Sequence, residues 1–116
     1  MTAVGKLFLV EDGLQKVREY AKRTALPGFT PTSLTTLPQL ERELERVRRH
    51  GVAFDNEEIE QGLRCIAAPI RDDSGELVAG LSVSAPAERH NPDWVPIVRQ
   101  TADEISAAIG YVKPEK

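Results

Sequence analysis

The feature that most constrains the fold is the apolar run Leu63-Arg-Cys-Ile-Ala-Ala-Pro-Ile70, between Gly62 and the turn-forming Asp72-Asp-Ser-Gly75. A run this short and this continuously apolar suits a strand buried on both faces. Asp72 to Gly75 then predicts a hairpin. After it, Leu77 to Ser84 alternates, with Leu77, Ala79, Leu81 and Val83 expected on one face and Val78, Gly80, Ser82 and Ser84 on the other. Upstream, Val52 to Glu57 reads as a further strand, with Val52 and Phe54 on one side and Ala53, Asp55 and Glu57 on the other. Pairing Arg71 with Glu76 across a four-residue turn sets Cys65 opposite Ser82 and Leu63 opposite Ser84, all on one face. Pro69 cannot donate to a ladder, so it marks an edge or bulge.

The rest of the chain reads as helix around this sheet. Val4, Leu7 and Phe8 recur at helical spacing in a helix that lacks a leading cap and begins abruptly at Met1, as in a chain cut from a longer one. Asp12 and Gln15 fit a capping box for a second helix, striped by Leu14, Val17 and Tyr20 or Ala21 and ending before Pro27. Leu26 to Thr35 is turn-rich loop. Thr36 and Gln39 fit another capping box, opening a helix striped by Leu37, Leu40, Leu44 and Val47 and closed by Gly51, with Glu41, Glu43 and Glu45 on its wet side. Asp93 caps the last helix, with Pro96 harmless at its third position and a stripe of Val95, Val98, Ala102, Ile105 and Ile109. The order helix, helix, helix, strand, strand, strand, helix predicts an α+β fold around an antiparallel sheet.

The chain has 116 residues and a formal net charge of −3, which fits one domain and argues against a nucleic-acid-binding face on it. The basic run Arg46 to His50 is read as a solvated helix face. A single cysteine cannot form an internal disulfide, and no stretch reaches the roughly 18 apolar residues of a membrane span. A cytoplasmic setting is therefore expected.

Few residues carry chemistry. Cys65 is either a small buried hydrophobe, a thiol lining a ligand or, least favoured, a nucleophile, since neither His50 nor His90 is placed to act as its base. Ser82 and Ser84 put two hydroxyls on one sheet face, either simply wetted or able to hold oxygen atoms of a ligand. Asp55, Glu57, Glu58 and Glu60 are read as surface acidity, Asp55 being the interesting member because it precedes the cysteine strand. Gly5-Lys6 lacks a phosphate-loop framework and is given no weight. No metal or other cofactor is expected.

Taken together, Thr2-Ala-Val-Gly-Lys6, Leu26-Pro-Gly-Phe-Thr30, Arg48 to Glu58, Gly62 to Ile70 and Leu77 to Pro86, followed by a long last helix, resemble the effector-binding domain of IclR-type transcriptional regulators. The resemblance implies a GAF-like fold: a curved antiparallel sheet with helices around it and one small-molecule pocket. It implies a small carboxylic or aromatic acid as effector, a homodimer or tetramer, and operator DNA bound through a winged-helix domain that these residues lack, as they lack the strands that precede Thr2 in the family. Carried over position by position, the implied ligand contacts are Ala3, Val4, Asp55, Cys65, Ser82 and Ser84, with Leu63 as an apolar wall. The competing readings are a thiol-dependent enzyme using Cys65 and a pure dimerisation module.

Overall fold

The computed structural model describes residues 2–24, 26, 28, 33–58, 61–89 and 91–114. Helices α1 (Ala3–Asp12), α2 (Leu14–Thr24) and α3 (Leu37–His50) precede strands β1 (Ala53–Asn56), β2 (Leu63–Arg71) and β3 (Leu77–Pro86), and α4 (Trp94–Ala108) closes the fold. The sheet is antiparallel in the order β1-β2-β3, with the apolar run at its centre, which gives the expected α+β architecture. Alternation along the strands builds two cores. On one face Ala53, Ala67 and Leu77 pack with Ala3 and Leu7 of α1 and Val47 of α3. On the other, Val52, Ile66, Ala68 and Ile70 pack with Val98 and Ala102 of α4. The opposite side of α1 joins α2 and α3 through Leu9, Val17, Leu40 and Leu44, so α1 lies between the sheet and the outer helices.

The caps explain where the helices begin and end. Thr36 and Gln39 form the reciprocal capping box, and Gly51 ends α3 in the left-handed conformation at φ 75°. Two expectations fail at the amino-terminal helices. The start of α1 is capped after all, by the Thr2 hydroxyl accepting from Gly5 N. Asp12 caps nothing, because it is the last residue of α1; Gly13, at φ 89°, lets the chain turn straight into α2. At α4 Asp93 takes the cap position but makes no side-chain cap bond. Instead Asn91 Oδ1 accepts from Asp93 N. Ile105 and Ile109 are exposed, and the buried stripe runs through Val98, Ala102 and Ser106. Ser106 belongs there because its hydroxyl accepts from Arg71 N at 3.0 Å and donates to Ala102 O.

The hairpin register is also corrected. Cys65 faces Ser84, Ala67 faces Ser82 and Leu63 faces Pro86, two residues from the expected pairing. The Asp72 carboxylate organises a longer turn, accepting from Ser74 N, the Ser74 hydroxyl and Glu76 N. A bulge between Ile70 and Arg71 then absorbs one residue. It moves Leu77 onto the α1 face, where it is buried, and leaves Val78 exposed. A shift of two preserves the face, so Leu63, Cys65, Ser82 and Ser84 still lie together. Pro69 sits beyond the pairing of β1, which stops at Ala67.

Arg71 ties this end of the hairpin to α1, donating to Gly75 O at 3.1 Å and to Glu11 Oε1 at 2.5 Å. The hydrogen bond from Arg71 holds the Glu11 carboxyl below its ordinary 4.5, opposed by partial burial and aided by the guanidinium charge. A depressed carboxylate value stabilises the fold above pH 4.5, and the contribution is lost as pH falls through the lowered value. Glu11→Gln is therefore expected to destabilise by about 0.2–1 kcal/mol at neutral pH, the size of a largely exposed pair. The stability gap between the two proteins should narrow as pH falls below 4.5 and close once Glu11 is protonated in the folded state; a gap that does not narrow with falling pH would break the assignment to this pair.

Candidate functional site

The register places three side chains in one row across the sheet: Asp55 on β1 opposite Cys65 on β2, and Cys65 opposite Ser84 on β3. Cys65 Sγ and Ser84 Oγ meet at 3.0 Å. Ser82 lies in the next row, opposite Ala67, with both serines exposed. The amino-terminal end of α1 covers this face. A Cβ built on Gly80 would stand 3.1 Å from both Val4 methyls, so the glycine permits a close helix-to-strand approach. Ala3 is buried in the same core, with Val4 and Cys65 packed against it. Thr2 occupies Gly5 N, whereas the amides of Ala3 and Val4 belong to the first turn, which has no intrahelical acceptor for them. The sheet face thus brings together every position carried over by resemblance: Ala3, Val4, Asp55, Leu63, Cys65, Ser82 and Ser84.

Asp55 is buried, and its fixed partner is the turn between β1 and β2: Oδ1 accepts from Glu58 N at 2.9 Å. Glu57 adopts φ 58°, which is uncommon for a residue with a long side chain. That conformation is held by Glu57 N donating to Leu63 O and by Gly62 N donating to Glu57 Oε1. Glu58 turns inward rather than to the surface, and its Oε2 accepts from Asn56 N. Glu60, the last of the four expected surface acids, lies outside the described residues, as does His90.

Behind this turn sits Lys6, the residue that reading by sequence passed over. Its side chain is 0 % exposed. Nζ donates to Glu43 Oε2 and Glu58 Oε2, each at 2.7 Å, and to Phe54 O. Glu43 therefore leaves the wet side of α3 expected for it. The signal was present: Ala3, Lys6 and Leu7 fall on one helical stripe, so a lysine stands where the periodicity asks for an apolar residue. The chain Lys6–Glu58–Asp55 ties α1 to the row of site residues.

Residues 1–107 match the family described as bacterial transcriptional regulator IclR C-terminal. The chain belongs to the IclR C-terminal family. It is 39 % identical over 118 residues to the HTH-type transcriptional repressor AllR of Klebsiella pneumoniae, covering 98 % of this chain and 43 % of that protein. The chain thus spans less than half the length of this relative. Among solved structures, the Agobacterium tumefaciens repressor BlcR superposes with a TM-score of 0.85 at 32 % identity, over 97 % of this chain and 46 % of BlcR. The inducer-binding domain of PobR from Acinetobacter, a double mutant in complex with 3-hydroxybenzoic acid, superposes at 0.81 with 28 % identity, over 90 % of this chain and 63 % of that domain's chain. These IclR-type neighbours share the sheet with its covering helices. Among the described residues, no helix is long and apolar enough to cross a membrane.

Proposed function

We propose that this IclR-family chain is a non-enzymatic sensor for a small carboxylic or aromatic acid. The observation that carries the reading is the row Asp55–Cys65–Ser84, with Ser82 beside it, facing the first turn of α1. The ligand carboxylate would accept from the amides of Ala3 and Val4, at the positive end of the helix dipole, and from the two serine hydroxyls. The buried Asp55 carboxylate would repel an anion placed against it, so it faces a hydroxyl or water on the ligand. Leu63 and Cys65 form the wall. The 3-hydroxybenzoic acid bound by the PobR domain supports an acid as the ligand class. A thiol-dependent enzyme is disfavoured by the partner of Cys65: the Ser84 hydroxyl is no base, and His50 ends α3.

In the full-length regulator, a winged-helix domain on the same polypeptide would bind operator DNA in the cytoplasm, as part of a homodimer or tetramer. The acid would change DNA affinity only by preferring one of two assembly geometries. The test is a thermal-shift screen with 2-oxo acids, hydroxy acids, dicarboxylates and aromatic acids. Wild type is expected to gain about 2.7 kcal/mol at a hundred times the dissociation constant of a true ligand. The gain is expected to vanish in the Ser82→Ala, Ser84→Ala double variant. A shift that survives in that variant would remove the serines from the site.

A further inference from the structure

At the edge of the sheet, beside β1, lies a cavity of about 460 Å³ whose lining includes Asp55, Glu58, Arg46, Arg64, Phe54 and Val95. Asp55 and Cys65 border both it and the hydroxyl face, but Ala3, Val4, Ser82 and Ser84 do not line it. Among the described residues, two of its groups are buried without a hydrogen-bond partner: the acceptor Glu58 Oε1 and the donor Arg64 Nε. Lys6 cannot serve the first, because its three donors are committed to Glu43, to the other oxygen of Glu58 and to Phe54 O. Among the described residues, Arg64 approaches a carboxylate through another nitrogen, 3.9 Å from Glu57 Oε2, which is beyond hydrogen-bond reach. Buried polar groups are nearly always paired, so an orphan acceptor and an orphan donor lining one cavity need an explanation.

The charges around the cavity narrow the answer. Asp55, Glu58 and Glu43 are balanced by Arg46 and Arg64 in the lining and by Lys6 behind it. A free anion meets the carboxylates, and a free cation meets the guanidinium groups. A neutral molecule carrying both signs satisfies each. We propose that this cavity binds a small zwitterion of the α-amino-acid class with an apolar side chain. Its ammonium group donates to Glu58 Oε1 and Asp55. Its carboxylate accepts from Arg64 Nε and Arg46, and its side chain packs on Phe54 and Val95. This second ligand class does not depend on the acid-sensing reading of the hydroxyl face.

The experiment is calorimetric titration of the 116-residue chain with L-valine, 3-methyl-2-oxobutanoate and 2-methylpropan-1-amine. The last two keep the side chain and remove the ammonium and carboxylate groups respectively. L-valine is expected to bind saturably, and Glu58→Gln and Arg64→Gln each to weaken it by about tenfold or more, or roughly 1.4 kcal/mol. The Ser82→Ala, Ser84→Ala double variant is expected to bind L-valine as wild type does, and the amine about tenfold or more weaker than L-valine. Circular dichroism checks each fold; if Glu58→Gln unfolds through its tie to Lys6, Arg64→Gln decides. The proposal is overturned if L-valine shows no saturation below about 10 mM, or binds no better than the amine. It is equally overturned if Arg64→Gln leaves L-valine binding unchanged. The oxo acid separates the two readings: binding that depends on the serines reports the hydroxyl face, and its loss there leaves the L-valine result untouched.

Discussion

Lys6→Met is expected to destabilise the protein by about 3–5 kcal/mol, among the largest effects of any single substitution in this chain. The side chain that remains would fit the apolar stripe of α1, so lost packing is a minor part of the effect. The larger part is electrostatic. Glu58 is 3 % exposed and Glu43 16 %, and both give a carboxylate oxygen to the ammonium group. Removing Lys6 leaves Glu58 turned inward without its ion-pair partner, Glu43 with only the more exposed Arg46 at 3.6 Å, and Phe54 O without its lysine donor. Against a total stability of about 5–15 kcal/mol, that is roughly a fifth of the fold or more. The cause can be separated from a mere loss of contacts. Lys6→Met combined with Glu43→Gln and Glu58→Gln removes the uncompensated charge and is expected to recover most of the loss, because a buried ion cluster is often no more stable than a neutral replacement. Urea denaturation midpoints measure both proteins. A loss below about 1 kcal/mol in Lys6→Met, or no recovery in the triple variant, would sink this account.

What could be read from the sequence depended on how local the cause was. The capping box at Thr36, the left-handed Gly51 and the apolar run of β2 each depend on residues close in the chain, and all three were legible. The bulge after Ile70 was not. Its cause is the Asp72 carboxylate drawing Ser74 and Glu76 into a longer turn, and no glycine marks the extra residue. The predicted pairing therefore slipped, but by two residues, which kept the site face and changed the rows within it. The row that matters, Asp55–Cys65–Ser84, needed the true register. The Lys6 cluster was the least legible, because it joins residues 37 and 52 positions apart. Only the misplaced lysine in an apolar stripe hinted at it. The candidate ligand positions were named by resemblance, and for Ser82 and Ser84 also by alternation. The cavity beside β1 depended on tertiary placement of Arg46, Arg64 and Val95, which no local pattern encodes.

Ile66→Ala should produce a loss of about 2–5 kcal/mol of a different kind, from a cavity rather than a charge. Ile66 is fully buried on the central strand, paired with Phe54 on one side and Val83 on the other. It packs with Val52, Val98 and Ala102, on the sheet face away from Cys65. The space it fills has little means of collapsing. Two strands fix its backbone, and Ala68 and Ala102 nearby are too small to lean into the gap. The loss should therefore fall towards the upper part of that range, whereas Ile66→Val, which removes one methyl, should lose about 0.5–1.5 kcal/mol. Urea denaturation again gives the values, and a loss in Ile66→Ala below about 1.5 kcal/mol would mean that α4 can shift onto the sheet. The same variant separates stability from binding. Its neighbours Cys65 and Ala67 point to the other face, so the folded fraction of Ile66→Ala is expected to hold an acid ligand with wild-type affinity. Lys6→Met should lose both, because the same ammonium group that neutralises Glu58 also holds the turn on which Asp55 is fixed.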